Sequence, residues 1–185
     1  MKSEKSIFLD ETYERVYAGD MTVFEECFTP DYTLWIPETQ MMTKDGYLKG
    51  KFAMEFLSTI IRNDGSNFDR TIEVVHEVEQ DDTVVREVHY TMKMNPDKPG
   101  DGGADYPPNL VVTIRLLNMY KFRDGKICEE STFYNILGTE MDFMQGDLKK
   151  AVAKILKMEP MIEVMREKLS KGEMPSFPPP PPDPS

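Results

Sequence analysis

The chain has few cysteines, and nothing in their placement indicates a disulfide framework or a metal site. Among 185 residues it contains two cysteines, Cys27 and Cys128, which stand alone without ligand spacing. No apolar export signal opens the sequence, and no apolar run approaches the roughly 20 residues that a membrane helix needs. We therefore expect an intracellular, cytoplasmic protein with reduced thiols and no membrane partner.

Basic residues are in the minority. The sequence holds 22 lysines and arginines against 33 aspartates and glutamates, which gives a formal net charge of −11. Nucleic acids and anionic membrane surfaces require a basic face, so both are disfavoured as partners. The expected partner is a small and fairly apolar molecule.

Several catalytic signatures are missing as well. The chain has no internal repeat, no glycine-rich phosphate loop, no Ser-His-Asp arrangement and no dinucleotide-binding fingerprint. No second histidine or carboxylate cluster stands at ligand spacing from His76, so we expect no metal ion. Any chemistry is expected to proceed without a cofactor.

What the sequence does contain is a block of four β-rich runs between Phe68 and Asn135. In each run the apolar residues alternate well enough to give the strand an inner and an outer face. Three helical segments precede this block, which predicts an α+β fold with helices packed on a curled, mostly antiparallel sheet. Such a sheet encloses a pocket, so function depends on the polar residues of its inner face. The runs are FDRTIEVVHEVEQ, TVVREVHYTMKM, LVVTIRLLNMYKF and KICEESTFYN.

Apolar spacing locates the N-terminal elements. One apolar stripe, ended by Gly19, predicts the first helix. Asp20 is the expected N-cap of a short second helix that Pro30 stops. A strand is expected over 31–36, and a third helix after Gly50. The stripe of the first helix consists of Leu9, Tyr13, Val16 and Tyr17.

The alternation along each strand sorts its polar residues. A half-buried strand turns its apolar set inward, which places His76 inside the predicted sheet and Glu77 outside. By the same rule His89 lies outside. The inward polar residues of these strands are then His76, Arg86, Tyr90, Asn118 and Tyr120. On the last strand the alternation is ambiguous, because its apolar residues do not share one face.

Three further segments complete the chain. The Pro- and Gly-rich stretch 95–109 is either a lid or a plain hairpin loop. Helical spacing resumes after 147, and Pro160 is expected to break that segment into two helices. The tail 174–185, with five consecutive prolines, is expected to be disordered. The predicted organisation is a barrel domain over 1–146, a helical extension over 147–173 and this tail.

Several local phrases resemble the nuclear transport factor 2-like superfamily, over roughly residues 7–140. They are Ala18-Gly19-Asp20, Thr29-Pro30-Asp31-Tyr32, Gly50-x-Phe52 and the hairpin Arg123-Asp124-Gly125-Lys126-Ile127. Within that superfamily the chain looks most like SnoaL-like polyketide cyclases and limonene epoxide hydrolases. The resemblance implies a cone-shaped α+β barrel whose mouth receives a hydrophobic ligand, and a role in natural-product biosynthesis.

The resemblance also bears on the catalytic residue. Enzymes of this kind have an aspartate on the last strand, and the matching position here is Thr132. Glu130 lies two residues earlier and therefore shares the inner face with Thr132 and Tyr134, so it is a reasonable substitute. The Asp-Arg-Asp set of the epoxide hydrolases is absent, since Val88 and Tyr90 occupy two of its positions. Epoxide hydrolysis by that mechanism is therefore not expected.

These observations predict a cofactor-independent cyclase, isomerase or dehydratase, of the lyase or isomerase class, that acts by acid/base catalysis on a polyketide- or terpenoid-like molecule. The candidate catalytic residues are Glu130, His76 and Arg86. The expected substrate-binding residues are Trp35, Tyr13, Tyr17, Tyr90, Asn118, Tyr120, Thr132 and Tyr134.

Each candidate also has a structural interpretation. In this interpretation Arg86 and Glu130 form a buried ion pair, His76 is a satisfied core residue, and Trp35 is a core residue. The alternative for the whole chain is a non-catalytic ligand carrier or dimerisation module. Because apolar residues interrupt the outer face of the sheet, we expect a homodimer that packs through it. Those residues are Val75, Val85, Leu117 and Met119.

Overall fold

The computed structural model describes residues 2–63, 68–95, 97, 107 and 109–171. The helices are α1 (Glu4–Tyr17), α2 (Val23–Cys27), α3 (Thr39–Met42), α4 (Gly50–Asn63), α5 (Ile136–Phe143) and α6 (Leu148–Ser170). The strands are β1 (Phe28–Trp35), β2 (Leu48–Lys49), β3 (Phe68–Gln80), β4 (Thr83–Met94), β5 (Val111–Arg123) and β6 (Lys126–Phe133). Most of the predicted 95–109 loop and all of the 174–185 tail lie outside the described residues.

The strands form one six-stranded sheet in the order β2-β1-β6-β5-β4-β3. Every pairing is antiparallel except that of β1 with β6. The four C-terminal strands form a meander, and their bounds agree to within two residues with the four β-rich runs of the sequence. The predicted cone of helices on a curved, mostly antiparallel sheet is confirmed.

Helix α1 follows the predicted stripe. Ser3 caps it by accepting a hydrogen bond from the backbone nitrogen of Ser6, and Leu9 and Val16 are buried against the sheet. The helix ends before Gly19, whose φ of +82° only glycine adopts without strain.

The second helix differs in its cap. Thr22, not Asp20, precedes α2, and the Asp20 carboxylate instead accepts from the Thr22 nitrogen and pairs with Arg15. The chain passes directly from α2 into β1 at Phe28, so the strand begins earlier than the predicted 31–36. The short elements α3 and β2, and helix α5 capped by Asn135, were not predicted, because segments of two to eight residues carry too little periodicity.

Helix α6 corrects the prediction that Pro160 divides this segment, since it is continuous from Leu148 to Ser170. Proline removes the hydrogen bond to the carbonyl of Leu156. Both Pro160 and Leu156 are exposed, so water can solvate that carbonyl, while Ala151 and Ile162 anchor the two halves of the helix in the protein interior.

The inner and outer faces of β4 and β5 agree with the alternation of the sequence. Arg86, Tyr90, Asn118 and Tyr120 are all buried on the inner face. Strand β3 differs, because a β-bulge between Val74 and His76 shifts its register against β4. One extra residue reverses the faces of every residue that follows.

The main core lies between the inner face of the sheet and helices α1, α2 and α4. A second, smaller cluster of Met94, Leu110 and Val112 packs under Phe143 of α5. Of the helices in the described ranges, none combines the length and apolar character of a membrane span.

Candidate functional site

Glu130 is a buried carboxylate in the middle of the sheet, with 3% of its surface exposed. It lies on β6 between Leu34 of β1 and Tyr120 of β5. Its Oε2 atom accepts two hydrogen bonds, one from the Tyr13 hydroxyl of α1 and one of 2.8 Å from the Tyr32 hydroxyl of β1. The inward position of Glu130, which the resemblance and the period of two along the strand led us to expect, therefore agrees with its observed position.

The surroundings of Glu130 favour its neutral form. Burial raises the pKa of Glu130 above that of an ordinary glutamate, and hydrogen bonds from Tyr13, Tyr32 and Thr132 offset part of this increase. Across the described residues the carboxylate has no ion pair. Burial beside this carboxylate also raises the pKa of the Tyr13, Tyr32 and Tyr120 hydroxyls, so all three phenols are protonated donors at neutral pH.

Tyr120 and Asn118 extend this polar cluster along β5. The Tyr120 ring packs edge-on against Tyr13, with 5.6 Å between centroids. Asn118 Nδ2 donates to the Tyr120 hydroxyl oxygen at 3.0 Å, while its buried Oδ1 has no hydrogen-bond partner among the described residues. The pair thus has an unused acceptor, Asn118 Oδ1, and an unused donor, the Tyr120 hydroxyl proton, among the described residues.

Arg86 is buried but does not pair with Glu130, so the alternative interpretation of these two residues as a buried ion pair is wrong. Its Nε bonds Glu77 Oε2 at 2.6 Å, its Nη1 contacts Asp10 Oδ1 at 2.9 Å, and its Nη2 donates to the Ser6 carbonyl at 2.7 Å. The bulge in β3 explains this arrangement, because it brings Glu77 to the inner face. Glu130 is therefore not alone inside as an acidic residue, and Arg86 fastens α1 to the sheet.

His76 is also displaced by the bulge, contrary to the prediction of an inward histidine. Its side chain is 76% exposed on the outer face, where Nδ1 contacts Glu87 Oε2 at 2.8 Å. It cannot reach a ligand inside the barrel.

Trp35 lies on the outer face too, although it was expected to bind the substrate inside the barrel. It follows Leu34, the inward neighbour of Glu130, and its ring packs 4.7 Å from that of Phe133.

The rim of the barrel lies between the end of α1 and the first half of β3. Tyr17 is partly exposed there, with its ring centroid 6.4 Å from that of Tyr13. The guanidinium carbon of Arg70 lies 5.9 Å from the Tyr17 centroid. Ile72 and Val74, on the inner row of β3, are 40% and 37% exposed.

Sequence reasoning missed a second acidic site beneath α5. The Tyr134 hydroxyl donates to Glu38 Oε1, and burial raises the pKa of Glu38, helped by the nearby Glu140. Glu140 in turn pairs with Lys154 of α6 at 2.8 Å. The signal available in the sequence was weak, because Glu38 lies in a short connection that has no strand alternation.

A groove of about 310 Å³ lies at the opposite, hairpin end of the barrel. It contains none of the predicted site residues. In the described ranges no group of three metal-ligating side chains comes together. The groove is lined by Glu4, Lys5, Phe8, Asp82, Phe122, Arg123, Asp124 and Gly125.

A sequence profile of the SnoaL-like domain family matches residues 9–130. Comparison with curated protein sequences gives no match.

Similar solved structures share the fold at low sequence identity. IdmH from Streptomyces antibioticus, a proposed polyketide cyclase, is 19% identical with a TM-score of 0.57 over 76% of this chain and 98% of that chain. AclR from Streptomyces galilaeus, a proposed hydroxylase, is 18% identical with a TM-score of 0.54 over 80% and 96%. A proposed SnoaL-like polyketide cyclase from Jannaschia sp. CCS1 is 18% identical with a TM-score of 0.52 over 77% and 96%.

Proposed function

The chain belongs to the SnoaL-like domain family, and we propose that it is a cofactor-independent cyclase, isomerase or dehydratase of a hydrophobic polyketide- or terpenoid-like molecule. The observation that carries this proposal is Glu130, a carboxylate buried among phenols without an ion pair in the described structure. A buried structural carboxylate is usually paired with a cation. A raised pKa instead suits a group that takes up and returns a proton near neutral pH.

In the proposed reaction the ionised Glu130 removes a proton from the carbon next to a substrate carbonyl. The electron pair of the broken C–H bond forms the enolate, whose charge ends on the carbonyl oxygen. Tyr13 and Tyr32 hold the carboxyl in one orientation through their hydrogen bonds to Oε2. Protonated Glu130 then returns its proton to the product, so the enzyme ends unchanged.

The enolate oxygen requires a donor, and Tyr120 is suited to this role. Its oxygen already accepts from Asn118, and its proton has no acceptor among the described residues. A buried phenol aimed at a developing negative charge stabilises it more strongly than water does. In ring closure the enolate carbon attacks a second carbonyl carbon of the substrate, and Glu130 gives its proton to the new alkoxide. In double-bond migration Glu130 gives the proton to a different carbon. In loss of a hydroxyl group the enolate electrons break the C–O bond, and the hydroxide takes the Glu130 proton and leaves as water.

The test follows deuterium uptake from heavy water, by NMR, at the carbon next to the carbonyl of linear and fused-ring polyketide analogues. The unaltered protein should accelerate exchange in at least one analogue. Glu130→Gln keeps the shape of the side chain but loses the base, so exchange should fall by roughly 10² to 10⁴. The wild-type rate should rise with pH through a pKa above that of ordinary glutamate, because the ionised form is active.

Glu129→Gln is the matched control. Glu129 is the preceding residue on β6, on the opposite face, where it pairs with Lys121 at 2.9 Å. Its replacement should leave exchange unchanged. A folded Glu130→Gln variant with wild-type exchange would make Glu130 structural and the proposed base wrong.

A non-catalytic ligand carrier of the same fold is the second candidate. It is favoured by Thr132, which stands where the enzymes that this sequence resembles have an aspartate, and by the deep burial of Glu130. A carrier would bind members of the same panel without accelerating exchange, and Glu130→Gln would leave their affinities unchanged. Measuring the affinity for each analogue together with its rate of deuterium exchange distinguishes the carrier from the enzyme.

A further inference from the structure

Arg70 is a cation on the inner row of β3, at the rim of the barrel. Register pairs Arg70 with Met92 and Ile72 with Tyr90, and both partners are buried on the inner face of β4. Arg70 precedes the bulge, so its side chain keeps the inward direction.

Among the residues that the structure describes, Arg70 has no carboxylate partner, although acidic residues outnumber basic ones in this chain. Across the described residues its one recorded contact is with the face of Tyr17, at 5.9 Å. A cation–π contact leaves the five N–H donors of a guanidinium group free to bind an oxyanion. By comparison, Arg15, Arg86 and Arg123 each bind a carboxylate.

An apolar path connects Arg70 to the buried carboxylate. Tyr17 packs beside Tyr13, whose hydroxyl binds Glu130, so two aromatic rings separate the Arg70 guanidinium from the proposed base. Ile72 and Val74 follow Arg70 on the inner face of β3, and both side chains are exposed. A molecule bound between the Arg70 guanidinium and Glu130 would therefore lie against aromatic rings and aliphatic side chains.

Two acidic residues lie farther inside the barrel, Glu77 on β3 and Asp10 on α1, but they do not repel an anion bound at Arg70. Glu77 and Asp10 are both bound to Arg86, which neutralises much of their charge.

We propose that Arg70 is an anion-binding subsite, which holds a carboxylate or phosphate group of the substrate while its apolar body lies along Tyr17 and reaches Glu130. Guanidinium groups bind both anions through two parallel N–H contacts. This inference rests on the proposed function, and it narrows the substrate to an amphipathic acid.

The experiment uses N-phenyl-1-naphthylamine, a neutral fluorescent probe, displaced by three matched competitors: 2-naphthoate, its neutral methyl ester and 2-naphthyl phosphate. Wild-type protein should bind at least one anion more tightly than the ester. Arg70→Gln should weaken that anion about 10-fold, as expected for one lost charge-assisted contact, and leave the ester unchanged. The preferred anion identifies which group the substrate carries.

Arg115→Gln is the control, because Arg115 is exposed on the outer face of β5 and has no ion pair in the described structure. It should change no affinity. The subsite is wrong if wild-type protein binds ester and anions equally, or if Arg70→Gln weakens all three competitors alike. If neither the probe nor any competitor binds, no apolar ligand site extends from Arg70, and this inference is wrong.

The outcome of the binding experiment can be distinguished from the outcome of the deuterium-exchange assay. If anion selectivity depends on Arg70 but no analogue exchanges deuterium, the subsite is retained and the catalytic proposal fails. If Glu130→Gln abolishes exchange while Arg70→Gln changes neither affinity nor rate, the base is retained and the subsite fails.

Discussion

The Arg86 network provides the sharpest test of the corrected site. Arg86→Met keeps most of the side-chain volume and removes the guanidinium that binds Glu77, Asp10 and the Ser6 carbonyl. We expect a structural effect, because these contacts join α1 to β3 and β4 and none of them reaches Glu130.

The expected loss follows from the exposure of the three partners. Removing one member of a buried ion pair costs roughly 3–5 kcal/mol, because the remaining charge is left unpaired. The Arg86 side chain is 6% exposed, but Glu77 is 23% and Asp10 is 35% exposed, so both carboxylates regain some water. We therefore expect a loss near the lower limit, about 3 kcal/mol, which is a large share of a typical domain stability.

Urea unfolding of Arg86→Met, Glu77→Gln and the double variant measures this loss and the coupling between the two residues. The two losses should be non-additive by more than ~0.5 kcal/mol, as for residues in one network. Proton exchange in substrate analogues should persist at temperatures where Arg86→Met is folded. A loss below ~1 kcal/mol, or full stability with abolished exchange, would refute the structural role and return Arg86 to the catalytic site.

Two further predictions concern pH and assembly. The folded-state pKa of Glu130 is raised, so the stability that this group contributes is present below the ordinary glutamate pKa and is lost as pH rises through the folded value. The free energy of unfolding of Glu130→Gln, relative to wild type, should therefore increase from pH 5 to pH 8 in urea titrations, and a constant difference would contradict this. We also propose a homodimer through the outer face of the sheet, where Val78, Leu117 and Phe133 are exposed. Leu117→Glu should convert the dimer to a monomer in size-exclusion chromatography with light scattering. Leu156→Glu on α6 is the control, because it changes an exposed leucine on another element, and it should leave the dimer intact. A monomeric wild-type protein would contradict the proposal.

The order of the main elements and the inner and outer faces of two strands could be predicted from the amino-acid pattern. Alternation of period two continues without interruption through β4 and β5, so Arg86 and Asn118 could be placed inside from the pattern alone. The apolar stripe of α1 and the glycine after it were likewise sufficient to predict where this helix lies and where it ends. Local patterns succeed where each residue keeps a fixed geometric relation to its neighbours.

Glu130 was found through a combination of pattern and resemblance. The alternation of β6 was ambiguous, and the match of Thr132 to a family position indicated its inner face. The sequence could not indicate which side chains donate hydrogen bonds to Glu130. Tyr13 and Tyr32 come from α1 and β1, 117 and 98 residues away, and only the packing of these elements brings their hydroxyls to one oxygen.

The roles of His76, Arg86 and Glu77 depend on how β3 pairs with β4. A bulge is one extra residue accommodated by the pairing of β3 with β4, and no signal within β3 marks its position. Because side chains alternate with a period of two, that single residue moves His76 to solvent and Glu77 to the interior. Glu77 then binds Arg86, and Glu130 remains without a cation in the described structure. The charge state of the candidate site therefore depends on strand register, which the sheet sets and the sequence pattern does not.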